Sequence, residues 1–185
     1  MNVKELQKKY SRGDRRFIKA DLARADLSLL ELSHVNFSGT NLSHAALHGA
    51  NLICANLSRA NLAYAKLIGA DLSGADLNHA NLSHALLSSA ELAGVSLQGA
   101  NLEEATLSHA NLRGADLRHA NLRGANFKGA DLRGADFWCA NLSQVDFTEA
   151  VLEDPPEIDL ISCEAAAQEP WTDEIEDQEN VSDLR

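Results

Sequence analysis

The chain has 185 residues, 45 % apolar and 5 % aromatic, with three cysteines and a formal net charge of −11. No run of about eighteen apolar residues is present, which excludes a membrane-spanning helix. Three cysteines make no disulfide framework, so a reducing cytoplasm is expected. The charge is uneven: residues 1–16 carry +4, residues 17–152 carry −4 and residues 153–185 carry −11. The acidity is thus a property of the C-terminal segment rather than of a folded surface.

The first predicted element is a short amphipathic helix over residues 2–10. Asn2 is a candidate N-cap with Glu5 three residues on, and Val3, Leu6 and Tyr10 share one face. Gly13 ends the segment. The basic start lacks the apolar core of a signal peptide, so secretion is not expected.

From Phe17 to Leu152 every fifth residue is Leu or Phe, without exception. Two residues before each, from Leu22 on, stands Ala, interrupted only by Leu30, Val35, Thr40, Val95 and Val145. Between them sits mostly Asn or Asp, and Ser, Gly, His or Arg close each unit. A period of five drifts round a helix and makes no stripe. It also fits no long strand, because apolar alternation lasts only three residues. Each unit therefore reads as a very short extended piece with Ala and Leu inward, followed by a turn. Such a unit cannot bury its own leucine, so the chain must wind and its coils must stack. Position 41 and every twentieth residue after it to 141 is Asn, and Gly recurs at 74, 94, 114 and 134. A correlation at twenty means four units per coil.

This Ala-(Asn/Asp)-Leu-X-X pattern resembles the pentapeptide-repeat family over roughly residues 15–154. The resemblance implies an all-β solenoid: a right-handed quadrilateral parallel β-helix of about seven four-sided coils, each Leu or Phe and each Ala filling the interior. The Tyr10, Gly13, Phe17 entry is similar to that of cyanobacterial members, including regulators of heterocyst differentiation. The expected organisation is an N-terminal helical cap over 1–16, the repeat domain over 17–154 and an acidic tail over 155–185. The cap would seal one open end of the stack. At the other end Pro155 and Pro156 stop the ladder, Ile158, Leu160 and Ile161 form a candidate lid, and the tail is expected to be partly or wholly disordered. Within it Trp171 and Ile175 could form a docking motif.

Candidate chemistry is sparse. Six of seven histidines close their units at corners, and His44 and His84 lie two coils apart, about 9.6 Å at β spacing, too far to share one zinc ion. Cys54 and Cys139 are too distant to be joined. No nucleophile or phosphate-loop motif occurs, and an interior filled by Leu and Ala leaves no pocket. Neither catalysis nor a cofactor nor a metal is expected. Arg113, Arg118, Arg123, Lys128 and Arg133 recur at one unit position as a belt that pairs with Asp116, Asp131 and Asp136, so direct nucleic-acid binding is not expected.

Two function classes remain. In the first, the rod is a non-enzymatic scaffold that presents flat faces to a protein partner, with a possible regulatory role. Its candidate residues are Ala46, Lys66, Leu86 and Thr106, which break the Asn/Asp rule, with His48, Ile68, Tyr64 and His109 beside them. The second follows from the resemblance: some bacterial members imitate B-DNA in shape and charge and bind type II topoisomerases such as gyrase. Asp71, Glu91 and Asp131 on one face, and Asp76, Asp116 and Asp136 on the next, would form that acidic edge. The partner is a protein in either case, no membrane is involved, and the chain is a monomer or homodimer.

Overall fold

A computed structural model describes residues 1–152. The segment 153–185, with its two adjacent prolines, the candidate lid and Trp171 and Ile175, lies outside the described residues.

Helix α1 spans Val3–Ser11. The Asn2 side chain caps it, Oδ1 accepting from the Glu5 N–H at 2.8 Å. Arg12 is its C-cap, and Gly13 follows at φ +94°. Leu6 is fully buried in the core cluster, and Val3 and Tyr10 pack against that cluster. The Tyr10 hydroxyl donates to the Ser33 carbonyl (2.9 Å), and the Arg15 guanidinium lies 3.7 Å over the Tyr10 ring.

Beyond α1 the backbone repeats with a register of twenty. Parallel bridges join each unit's central residue to the one twenty positions on: Arg16 to Asn36, Asp21 to Asn41, Asp26 to Ala46, Glu31 to Asn51, and so on to Asp131 with Val151. Four five-residue sides make one coil. The first face carries the column from Asp21 to Asn141, the second Asp26 to Asp146, the third Glu31 to Val151 and the fourth Arg16 to Asp136. Each side contributes a single bridged residue, so the sheet ladders run across coils rather than along the chain.

One unit shows how the backbone is satisfied. The Asn61 N–H donates to Thr40 in the preceding coil (2.9 Å), and Leu62 and Tyr64 donate to Asn81 and Ser83 in the next (2.7 and 3.0 Å). Ala65 donates back to Leu62 (2.9 Å), closing a four-residue turn whose third residue, Tyr64, has φ +60°. A positive φ at that place is the type II geometry. Every fifth residue from Lys19 to Glu149 adopts it, glycine or not. The one N–H left over, that of Ala63, is taken by the Asn61 side chain (Oδ1, 3.1 Å). This local bond explains why Asn or Asp stands at the unit's centre.

The interior is a column of Leu and Phe interleaved with Ala, fully buried from Leu22 through Leu132 at the Leu positions. Each large side chain contributes about 1.5–3 kcal/mol before conformational entropy is subtracted. Thr40, an exception in the Ala column, is buried, and its hydroxyl donates to the Phe17 carbonyl (2.8 Å). From Ala135 to Leu152 the interior positions are only partly buried. There Phe147 stacks on Phe127 (5.6 Å) and meets Phe137 edge-on (6.1 Å).

Candidate functional site

The four faces differ in how they use their outward residues. On the first face the asparagines form a ladder: Asn121 Nδ2 donates to Asn101 (3.1 Å) and Asn141 Nδ2 to Asn121 (3.2 Å), while each Oδ1 accepts the local N–H two residues on. Those side chains are occupied by their own coils.

The third and fourth faces hold the expected acidic edge, and the cationic belt neutralises half of it. Arg118 binds Asp116 through two nitrogens (2.8 and 2.7 Å) and reaches Asp136 at 3.6 Å. Arg133 pairs with Asp131, which Arg113 also approaches at 3.6 Å. The Arg118 hydrogen bonds hold the Asp116 carboxyl below its usual value, and the Arg133 bonds do the same more strongly for Asp131. Arg123 and Lys128 pair instead with Glu103 and Glu149, carboxylates that sequence reasoning missed. Of the remaining candidates, Asp71 and Asp76 each accept a local N–H at 3.0 Å, and Glu91 accepts from Asn111 Nδ2 at 2.8 Å.

The second face is different. Ala46, Lys66, Leu86 and Thr106 follow one another in a single bridged column. His48 and Ile68 stand beside that column, Tyr64 lies on the corner before it and His109 on the corner after it, so the eight predicted partner residues share one face and its borders. Ile68 is 41 % exposed, Leu86 37 % and Tyr64 49 %. Leu29, on the same far corner, is 78 % exposed and was not predicted. Four successive centres here lack Asn or Asp, so no side chain caps the N–H two residues on.

The corners also carry an order that the sequence reading did not anticipate. His44, Tyr64 and His84 stack face to face, with ring centres 5.0 and 4.7 Å apart, and His84 Nδ1 lies 3.2 Å from Glu104. Elsewhere a corner side chain lies over the glycine one coil on. A Cβ built on Gly49 would meet Leu29 at 2.9 Å, and one on Gly129 would meet His109 at 2.6 Å. Where the preceding corner is itself glycine, as at Gly69 and Gly94, nothing lies within 4 Å. Corner side chains thus lean toward the C-terminal coil. A bulky corner residue followed twenty positions later by glycine was the signal for this. Cys54 is free and exposed at its corner. Among the described residues no three His, Cys, Asp or Glu side chains gather as metal ligands would, and no helix is long and apolar enough to cross a membrane.

The register of twenty, the inward Leu and Ala and the Asx-bonded turns coincide with a match to the pentapeptide-repeat model over residues 16–53, 55–92, 85–124 and 125–154. The chain belongs to the pentapeptide-repeat family. Members form right-handed quadrilateral β-helices, and this chain has that architecture. Similar solved structures include a pentapeptide-repeat protein of the Arabidopsis thaliana thylakoid lumen, at 35 % identity over 55 % of this chain and 67 % of that one (TM-score 0.46). HetL, involved in heterocyst differentiation regulation in the cyanobacterium Nostoc, is similar at 28 % identity over 83 % of this chain and 98 % of that one (TM-score 0.27). QnrB1, a plasmid-mediated fluoroquinolone resistance protein, aligns at 22 % identity over 75 % and 82 % (TM-score 0.45). No curated protein matches the chain.

Proposed function

We propose that this pentapeptide-repeat protein is a non-enzymatic scaffold that binds a partner protein on its second face. One observation carries the reading. Over four successive coils this face gives up the side-chain bond that secures the turn elsewhere, and it exposes Ile68 and Leu86 in its place. Apolar area set on a flat surface among polar neighbours is what a docking partner buries. On this reading residues 1–16, with α1, cap the first coil, residues 17–154 form a rod of about seven coils, and the protein works in the cytoplasm. The acidic edge is the weaker surface, because Asp116, Asp131 and Asp136 already hold arginines.

The test is affinity capture from lysate of the source organism with the wild type and with the Ile68→Arg, Leu86→Arg double variant. A partner retained by the wild type and lost at least tenfold by the variant supports the second face. Equal recovery of every partner by both overturns it. Recovery of gyrase subunits by both, with inhibition of supercoiling at micromolar protein, would transfer the function to the acidic edge.

A further inference from the structure

The second face also leaves backbone donors unanswered. In a middle unit the fold bonds four N–H groups, and the fifth depends on the central Asn or Asp. Where Ser96 stands at the centre on the fourth face, the Asn78 side chain from the coil before takes over: its Oδ1 accepts the Gln98 N–H at 2.9 Å and the Ser96 hydroxyl at 2.7 Å. On the second face nothing takes over. The N–H groups of His48, Ile68, Ser88 and Ser108 donate to no described residue, while Ser28 below them and Lys128 above them are capped by Asp26 (3.1 Å) and Asn126 (2.9 Å). Elsewhere among the described residues this donor goes uncapped only singly, at Ile18, Ser33 and Ala93. The second face therefore presents four uncapped donors in line, about 4.8 Å apart and about 14 Å from first to last.

The charge of this face says what would answer them. Between Asp26 and Asp146 its bridged column and the residues beside that column include Lys66 and Lys128 and no acid, whereas the third face holds Asp71, Glu91 and Asp131 and the fourth Asp76, Asp116 and Asp136. Lys128 pairs with Glu149, and Glu104 on the border corner lies 3.2 Å from His84, but Lys66 has no carboxylate partner among the described residues. A row of N–H donors with a lysine calls for carboxylates, because charge-assisted bonds are the strong ones. One unpaired lysine is too little for a phosphate chain, whose binding grows with the number of cations that meet it. Strand carbonyls fit poorly, since on one edge of a strand they recur about every 6.7 Å, against donors about 4.8 Å apart. A carboxylate fits better, because its two oxygens can take two neighbouring donors. Two carboxylates about 9.6 Å apart then answer all four. A polyproline II segment with acids three residues apart presents them on one side, about 9.3 Å apart. Lys66 stands beside the lower pair of donors, and the Ser88 and Ser108 hydroxyls, 3.0 Å from each other, stand beside the upper pair. Ile68 and Leu86, on the two middle coils, expose apolar surface between these positions. We propose that the partner reads the second face with an extended segment along the rod axis, carrying two carboxylates three residues apart and an apolar residue between them. Its carboxylates supply the caps that Ala46, Lys66, Leu86 and Thr106 do not. The proposal rests on the second face as the docking surface and adds the chemistry of what docks there.

The test titrates the isotopically labelled full chain with a peptide blocked at both ends, Pro-Pro-Glu-Leu-Pro-Glu-Pro-Pro, and follows the amide shifts. The amides of His48, Ile68, Ser88 and Ser108 are expected to move downfield together, with a Kd of about 0.1–1 mM, while the single donors at Ser33 and Ala93 stay in place. The same peptide with Gln for both Glu should bind at least about tenfold more weakly. The deciding variant is Ala46→Asn, Thr106→Asn, which installs the cap used in the other columns and leaves Lys66, Ile68 and Leu86 untouched. It should keep the fold and bind the peptide at least about tenfold more weakly. No shift of the row at about 5 mM peptide, equal binding of the Gln peptide, or equal binding by the capped variant overturns the proposal. So does a DNA duplex that shifts the same amides at lower concentration than the peptide, which would make the row a phosphate site. Slower exchange of the four amides than of Ser33 and Ala93 in the free protein would show that the chain itself covers the row, and overturns the partner form. If Ile68→Arg, Leu86→Arg loses the captured partner while Ala46→Asn, Thr106→Asn keeps it, the docking face stands and the donor proposal alone falls.

Discussion

At the scale of single residues the corners matter most. A non-glycine residue at positive φ costs about 1–2 kcal/mol, yet Tyr64 and both histidines of its stack adopt that conformation. The stack returns part of the cost, since an aromatic pair adds about 0.5–1.5 kcal/mol beyond its burial, least at exposed sites. Tyr64→Ala, which keeps the backbone strain and loses both rings, should destabilise by about 1 kcal/mol. Tyr64→Phe should stay within about 0.3 kcal/mol. Paired denaturant melts read the difference, and equal losses would mean that the stack contributes nothing. The inward residues were legible from the period alone, because Leu and Ala must face the interior whichever way the coil turns. The lean of the corner side chains was not. It follows from the positive φ, which redirects the Cα–Cβ bond along the stack, and its one trace in the sequence is the glycine standing twenty positions after a bulky corner residue such as Leu29 or His109.

At the scale of an element the cationic belt divides in the same way. Arg118 and Arg133 pair with the Asp two residues earlier, a distance readable in the sequence. Arg123 pairs one coil back with Glu103, and Lys128 reaches Glu149, contacts that exist only once the register of twenty is fixed. The Arg118–Asp116 bond also sets a pH dependence. The Asp116 carboxyl sits below its usual 3.8 when folded, chiefly through its side-chain hydrogen bonds from Arg118. Its stabilisation is therefore complete above about pH 3.8 and is lost as the pH falls through the lower, folded value. Asp116→Asn keeps the local N–H bond and removes the charge. The wild type should exceed it in stability by up to about 1 kcal/mol at pH 6, given partial exposure. The gap should narrow progressively as the pH falls below about 3.8, in melting temperatures measured from pH 6 downward. A gap independent of pH would mean that the carboxylate charge is not the stabilising feature.

For the whole molecule, stability is a sum over neighbouring coils. A middle coil is covered on both sides, whereas the interior side chains from Ala135 to Leu152 are only partly buried. Local opening should therefore be easier there. The amides of Asn141, Asp146 and Val151 should exchange at least about tenfold faster than those of Asn81 and Asn101, although all five make comparable inter-coil bonds of 2.8–3.0 Å. Uniform exchange along the rod would show a single cooperative unit instead. The same architecture separated what the sequence disclosed from what it withheld. The four-sided coil was readable because asparagine returns every twenty residues from Asn41. The uncapped row on the second face was visible as a broken rule at Ala46, Lys66, Leu86 and Thr106, but its meaning lay in backbone groups that no side-chain pattern names.

The twenty-residue register also gives the molecule a reading frame. Gain or loss of twenty residues would lengthen or shorten the rod and leave each column above in phase. Gain of five would leave every Leu inside and every turn intact, yet turn everything downstream by a quarter revolution. After such an insertion between Ala75 and Asp76, Leu86 would no longer follow Lys66, and the donors at Ser88 and Ser108 would sit round the corner from His48 and Ile68. The fold would not register the change, but whatever reads the second face would. Surviving insertions and deletions in relatives that share this surface should therefore come in twenties between Ala46 and Ser108 and in any multiple of five on either side of that stretch.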